Sequence, residues 1–406
     1  MTDRLTGLRV VCLVICGMGV APLILAAQQT APATPALEPQ TFAGIDEQVE
    51  EAIAEGRVAG CSVMVIRDDQ VQYYRHWGQR DAARELPVER DTIWRIYSMT
   101  KPITSVAVMQ LVEQGLLDLD EPVSRYIPQL AEPVVLVEND GEFEEVPARR
   151  EITVRDLLRH SSGLTYGFFG NSEVDRRYLR AGVLAQEDLE SMVEKLADLP
   201  LKHQPGSRFE YSVSTDLLGY LVQVVSGQPF DQYLQEHILQ PLQMKDTSFV
   251  VPEPKQERLA ELYRPSRRGG LSPAPARSSV RFVDPQTRFF SGGGGLCSTI
   301  DDYGRFCRML LGGGELDGKR IVSEDSLKEM WTNQLGDLDR SSLGFRFGLG
   351  FRISRQGDYS WGGAAGTRFW VHPEKDLAIL FMVQVNPWRE SLADQVREMV
   401  YQALEP

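Results

Sequence analysis

Strand-forming runs lie at the two ends of this chain with a long helical stretch between them, so any sheet must be closed by segments far apart in sequence. Near the N-terminus a helical stripe of Ile45, Val49, Ile53 and Ala54 precedes two β-rich runs, residues 61–67 and 70–77, which meet at Asp68-Asp69 in a hairpin pattern. Towards the C-terminus the runs 347–354, 359–361, 368–372 and 377–385 alternate with Gly-Asp, Gly-Gly and Glu-Lys-Asp turns, and residues 389–403 read as a closing helix. From residue 98 to about 285 the pattern is helical and loop-rich. Ile103, Val106, Ala107, Gln110, Leu111 and Gln114 mark a helix that Gly115 stops, and Pro102 falls in its first turn, where a missing N–H costs nothing. A second helix starts at the N-cap Thr153 and a third runs from Asp216 to Ser226 with Gly227 as its stop, while residues 253–290 form a proline-rich excursion. The expected fold is α/β (α+β): residues 41–97 and 290–406 form a discontinuous sheet domain and residues 98–289 a mainly helical one, with the cleft between them.

A chain of 406 residues suffices for one large or two medium domains, and 42% apolar with 25% charged residues is ordinary for a globular protein. The net charge of −14, with no basic run, argues against nucleic acid as a partner. Arg4 and Arg9 precede an apolar run over residues 10–27 that ends in Ala26-Ala27, the pattern of an export signal. Periplasmic or secreted localisation is therefore expected. Gly17, Gly19 and Pro22 make the run a poor spanning helix, so cleavage at residue 27 is preferred to retention as a membrane anchor. Ile15 stands where a lipoprotein site before Cys16 would need a small residue, and residues 28–40 form a Pro/Ala linker. Cys61, Cys297 and Cys307 remain after the signal and read as buried thiols, a Cys297–Cys307 bridge being the alternative. Five scattered histidines and no C-x-x-C pattern give no reason to expect a metal or another cofactor.

Chemistry enters at Ser98-Met99-Thr100-Lys101. Positions i and i+3 share a helix face, so the Lys101 amine can reach the Ser98 hydroxyl, and a serine becomes a nucleophile when a nearby base takes its proton. No other lysine of the chain has a serine three residues before it. Spacing alone also fits a solvated lysine at a helix start.

Further segments decide between these. Besides Ser98-Met99-Thr100-Lys101, they are Leu116-Leu117-Asp118-Leu119-Asp120-Glu121-Pro122-Val123, Ile152-Thr153-Val154-Arg155-Asp156-Leu157-Leu158-Arg159-His160-Ser161-Ser162-Gly163-Leu164, Pro205-Gly206-Ser207-Arg208-Phe209-Glu210-Tyr211-Ser212, the run Gly292-Gly293-Gly294-Gly295-Leu296-Cys297-Ser298-Thr299, and Trp361-Gly362-Gly363-Ala364-Ala365-Gly366-Thr367. In this order they resemble the serine β-lactamase and penicillin-binding-protein superfamily, and within it the class C β-lactamase-like esterases of the family VIII carboxylesterase type. The resemblance covers residues 43–403 and implies an antiparallel sheet flanked by helices with a large helical insert. It also implies Ser98 as nucleophile, Lys101 and Tyr211 as its base, and an oxyanion site between the N–H groups of Ser98 and Ala364.

Two departures bear on the substrate. Where β-lactamases of this type carry Tyr-x-Asn, this chain has Tyr211-Ser212-Val213, and the Val213 side chain makes no hydrogen bonds. Where Lys-Thr-Gly is usual, Trp361 stands before Gly362 and Gly363, giving an apolar wall and one N–H donor instead of a cation. Both point from anionic β-lactams towards neutral carboxylic esters, with hydrolysis or transfer to another alcohol as the outcome. Arg368 on the next strand can restore part of the lost charge, which keeps a D-Ala-D-Ala peptidase or β-lactamase as the alternative, and a non-catalytic envelope binding protein as a second one. His160 and His372 are expected to be structural, Asp156 and Asp216 to cap helices or form ion pairs, and the glycines 292–295, lacking a following Gly-Lys-Ser/Thr, to turn beneath the cleft rather than hold phosphate. Acyl-chain length and oligomeric state leave no mark in the sequence.

Overall fold

Asp68 and Asp69 adopt left-handed backbone angles, φ 51° and 57°, and so close a two-residue hairpin whose twist matches its strands. A computed structural model of the chain describes residues 42–336, 338 and 344–404; the expected signal segment and linker at residues 1–40 lie outside the described residues. The hairpin joins strands β1 (Gly60–Arg67) and β2 (Gln70–Asp81), with β3 (Leu86–Pro87) at the edge. The C-terminal strands are β4 (Arg346–Phe347), β5 (Arg352–Ile353), β6 (Tyr359–Gly362), β7 (Arg368–His372) and β8 (Leu377–Val383). Among the described residues these make one eight-stranded sheet in the order β4-β5-β6-β7-β8-β1-β2-β3. Antiparallel pairing of β8 with β1, Cys61 opposite Val383 through Arg67 opposite Leu377, closes it.

The apolar composition of β1 follows from burial on both faces. Cys61, Val63 and Val65, with Ile379 and Phe381 of β8, pack against helices α1 (Ala43–Ala54) and α10 (Leu392–Leu404). Met64 and Ile66, with Leu380 and Met382, face the larger core that takes in α2 (Thr100–Glu113), α3 (Val154–Leu158), α4 (Glu173–Ala181), α5 (Leu189–Ala197), α6 (Ser214–Ser226), α7 (Phe230–Leu234), α8 (Ile300–Leu311) and α9 (Glu324–Trp331). The fold is thus the mixed α/β, β-lactamase/transpeptidase-like one that the resemblance implied. Cys61, Cys297 and Cys307 are buried free thiols, and no bridge joins Cys297 to Cys307.

Two local expectations change. The run 347–354 is not one strand but the two-residue strands β4 and β5, because Gly350 (φ 88°) turns the chain and the Gly348 N–H donates to the Phe351 carbonyl at 2.8 Å. Within the stretch expected to be helical, Val134–Asn139 pairs with Glu142–Pro147 about a turn at Asp140 (φ 52°) and Gly141 (φ 85°). Conversely, α8 and α9 fall in the stretch assigned to the sheet domain.

A charged knot fixes the segment that leads to the site. Thr153 and Asp156 form a reciprocal capping box at the start of α3. The fully buried Asp156 carboxylate also accepts from Arg150 at 2.5 and 3.0 Å, from Arg159 at 3.0 Å and from the Ser161 hydroxyl at 2.7 Å.

Candidate active site

Ser98 sits in the single 3-10 turn Tyr97–Met99 that runs straight into α2. The residue before it, Tyr97, has φ 43°, a left-handed conformation costly for an aromatic side chain and held only by its surroundings. The Ile96 N–H donates to the Leu296 carbonyl at 3.0 Å, and the Tyr97 ring meets Phe282 edge-on at 5.6 Å. The turn thereby aims Ser98 into the cleft rather than along the helix.

Lys101 lies one helical turn later and is 1% exposed. Its Nζ donates to the Gly293 carbonyl at 2.5 Å, to the Tyr166 hydroxyl at 2.9 Å and to Ser98 Oγ at 3.4 Å, using the three donors of an ammonium. The Tyr211 hydroxyl donates to Ser98 Oγ at 2.8 Å, so tyrosine, not lysine, is the nearer partner of the serine. Lys101 Nζ also stands 4.7 Å from the Tyr211 ring centre, and the Trp361 Nε1–H donates to the Tyr211 hydroxyl at 3.4 Å. The structure therefore brings together Ser98, Lys101, Tyr211 and Trp361 from three separate stretches of chain.

Tyr166 was not singled out from the sequence, since nothing in its spacing sets it apart from a core tyrosine. Burial, with Asp216 and Tyr211 adding to it, pushes its phenol well above the ordinary range, so it stays protonated and can donate. It donates to Asp216 at 3.5 Å while accepting from Lys101. Among the described residues, Asp216 neither caps α6 by a side-chain bond nor forms an ion pair. Its buried carboxylate accepts from the Ser291 hydroxyl and from the Gly293 N–H at 3.1 Å, so it fixes the carbonyl that holds Lys101. A Cβ on Gly293 would run into that carboxylate and into the Tyr166 hydroxyl, which is why the run at 292–295 needs glycine there.

His160 is buried, and its ring meets Tyr211 edge-on at 5.0 Å. Burial, aided by the Lys101 charge, pushes its imidazole well below the ordinary range, so it is a neutral packing partner. His372 ends β7, hydrogen-bonds the Gln356 carbonyl at 3.0 Å and faces the Tyr401 ring at 6.2 Å between centroids.

The cleft at Ser98 measures about 740 Å³ and is bordered by Tyr211, Phe168, Phe169, Trp361, Gly362, Gly363 and Ala364. Gly363 donates to the Thr367 carbonyl at 2.7 Å, and Gly366 donates back to the Gly363 carbonyl at 3.0 Å. Ala364 donates none of the bonds that close this turn. Val213 is fully buried in the core just before α6 and is not among the described residues that border the cleft.

Similarity to known proteins identifies the family. The family model described as Beta-lactamase matches residues 45–403. The chain belongs to the beta-lactamase family. This family member is 37% identical over 369 residues to Protein Rv1367c of Mycobacterium tuberculosis, an alignment covering 85% of this chain and 90% of that protein. It is 33% identical over 276 residues to Esterase EstB of Burkholderia gladioli, covering 64% of this chain and 67% of the other. Among solved structures it resembles EstCE1, a hydrolase with promiscuous acyltransferase activity, with a TM-score of 0.77, 27% identity, and coverage of 89% of this chain and 99% of that one. The beta-lactamase family and these relatives place the chain among serine hydrolases and acyl-transfer enzymes.

Proposed function

We propose that this protein is a serine carboxylesterase or acyltransferase whose acyl-enzyme forms on Ser98. The observation that carries the reading is Trp361: an indole bonded to the Tyr211 hydroxyl stands where a β-lactam- or peptide-binding relative needs a cation, so the wall beside the reacting carbonyl is apolar. Phe168 and Phe169 extend that wall. The esterase and acyltransferase activities of the named relatives support the same direction.

The first half-reaction starts from Tyr211 as phenolate, its own proton having left to solvent, with the Lys101 ammonium 4.7 Å from its ring centre as counter-charge. Ser98 Oγ then attacks the ester carbonyl carbon while its proton passes to the Tyr211 oxygen 2.8 Å away. The oxyanion is received by the Ser98 and Ala364 N–H groups, each worth about 3 kcal/mol in such a role. Collapse expels the alkoxide, which takes the proton from Tyr211, and leaves the acyl group on Ser98. Water or a second alcohol then repeats the steps in reverse and restores the serine.

Steady-state assays with p-nitrophenyl butyrate and nitrocefin test the reading. Saturable release of p-nitrophenolate is expected, with kcat/KM for nitrocefin at least about 10²-fold lower. Absence of ester turnover, or nitrocefin opened as efficiently as the ester is cleaved, would overturn it. A finer result is expected at Tyr166. In Tyr166→Phe the ring stays but Lys101 loses one of its three acceptors, so kcat should fall about tenfold with KM nearly constant, whereas Tyr211→Phe should lose about 10³.

A further inference from the structure

The cleft does not end at Trp361. It continues past Gly362 onto a face of the sheet formed by Arg352 of β5, Ser360 and Gly362 of β6, and Arg368 and Trp370 of β7. Pairing accounts for this face: Arg352 lies opposite Ser360 and Arg368 opposite Gly362, so two arginines on the outer strands flank two small residues on the middle one. Arg281 adds a third guanidinium to the same cleft, and among the described residues no aspartate or glutamate borders it. That is unexpected in a chain of net charge −14.

These guanidiniums are poorly satisfied within the protein. Among the described residues Arg352 and Arg281 make no ion pair; each lies over a phenylalanine ring, Phe345 at 5.1 Å and Phe282 at 4.9 Å. Arg368 has one long contact, 3.5 Å to Asp394, a half-exposed carboxylate. The nearby Asp358 is taken by Arg397 at 2.7 Å and by the Tyr401 hydroxyl at 3.1 Å. Arg352 is exposed on this face; partial burial of its guanidinium and then the Arg368 charge work against its own charge, and a bound anion would offset that repulsion.

We propose that the Arg352–Arg368 trough binds a carboxylate carried by the ester itself, remote from the scissile bond, so that the preferred substrates are half-esters of dicarboxylic acids or esters of carboxylate-bearing alcohols. The proposal rests on the esterase reading and refines it. Trp361 keeps the space at the reacting carbonyl uncharged, and the cation lost there reappears one strand to either side. At the rise of a strand, Ser360 to Gly363 spans about 10 Å, which sets the separation between carbonyl and carboxylate. Guanidinium forks suit a planar carboxylate.

Matched pairs test it at low ionic strength. The acyl arm compares mono-p-nitrophenyl suberate with p-nitrophenyl octanoate; the alcohol arm compares 6-butyryloxyhexanoate with its methyl ester. In one arm the anionic ester is expected to have about tenfold higher kcat/KM, the advantage shrinking as salt rises. In the double variant Arg352→Gln/Arg368→Gln that ratio should fall to about one, while Arg352→Lys/Arg368→Lys keeps part of it. Calorimetry on Ser98→Ala gives a reading independent of turnover: monomethyl suberate should bind about tenfold more tightly than dimethyl suberate. No preference for the anion in either arm, equal binding of the two suberates, or a preference that survives the double glutamine variant would overturn the proposal. Loss of all ester turnover with the suberate difference intact would instead overturn the esterase reading alone.

Discussion

Ser98→Ala is expected to lower kcat/KM for p-nitrophenyl butyrate by about four orders of magnitude, with the melting temperature nearly unchanged. The loss is large because the acyl group then has no atom to be transferred to, and only positioning and the oxyanion donors remain. The fold tolerates the change because, among the described residues, the Ser98 hydroxyl bonds only to Tyr211 and Lys101. Lys101→Ala should match this loss in rate but not in stability. Lys101 is 1% exposed, and its removal leaves the Gly293 carbonyl and the Tyr166 hydroxyl without a donor. Steady-state kinetics beside thermal unfolding of the two variants would separate the roles. A Ser98→Ala protein that still turned over the ester would place the nucleophile elsewhere.

The largest stability effect is expected at Asp156. Asp156→Ala leaves Arg150 and Arg159 facing an empty site and undoes the capping box of α3, a loss of about 3–5 kcal/mol measurable by denaturant unfolding. The same carboxylate predicts an acid dependence. Burial by itself would raise its pKa, but the Arg150 pair, the Ser161 hydroxyl and the Thr153 N–H outweigh burial and hold it below the ordinary range. A group depressed in the folded state contributes stability above its unfolded pKa, near ~3.9, and that contribution is lost as pH falls through the folded value. Stability should therefore drop below about pH 4, and less steeply in Asp156→Asn. An acid limb identical in the two proteins would show that other carboxylates control it.

The parts of the molecule legible in the sequence were those with local causes. The Asp68-Asp69 turn, the Gly115 and Gly227 stops and the Thr153 cap each act within a few residues, and the structure places them as read. Ser98, Lys101, Tyr211 and Trp361 were legible through ordered motifs; Ser98, Tyr211 and Trp361 line one cleft, and the buried Lys101 bonds to Ser98 Oγ. What could not be read depends on contacts across the fold. Asp216 resembles any acidic residue in a first helical turn, and its task is visible only once Gly293 and Tyr166 arrive from other segments. Val213 follows a cleft tyrosine in the chain, yet the onset of α6 turns it into the core. The Arg352 and Arg368 trough depends on strand register, which needs the break at Gly350 that sequence alone had smoothed into one strand.

The pairing of β8 with β1 also bears on biosynthesis. A ribosome releases β1 and the nucleophile's helix long before β6 and β8, yet β1 is almost wholly buried only when β8 lies beside it. The emerging chain must therefore hold an apolar strand without its neighbour until the last part of the message is translated, and contacts of such high sequence separation form slowly. Maturation of the centre is consequently post-translational: Ser98 and Tyr211 are made early, but they remain without Trp361 until the C-terminal quarter has folded back.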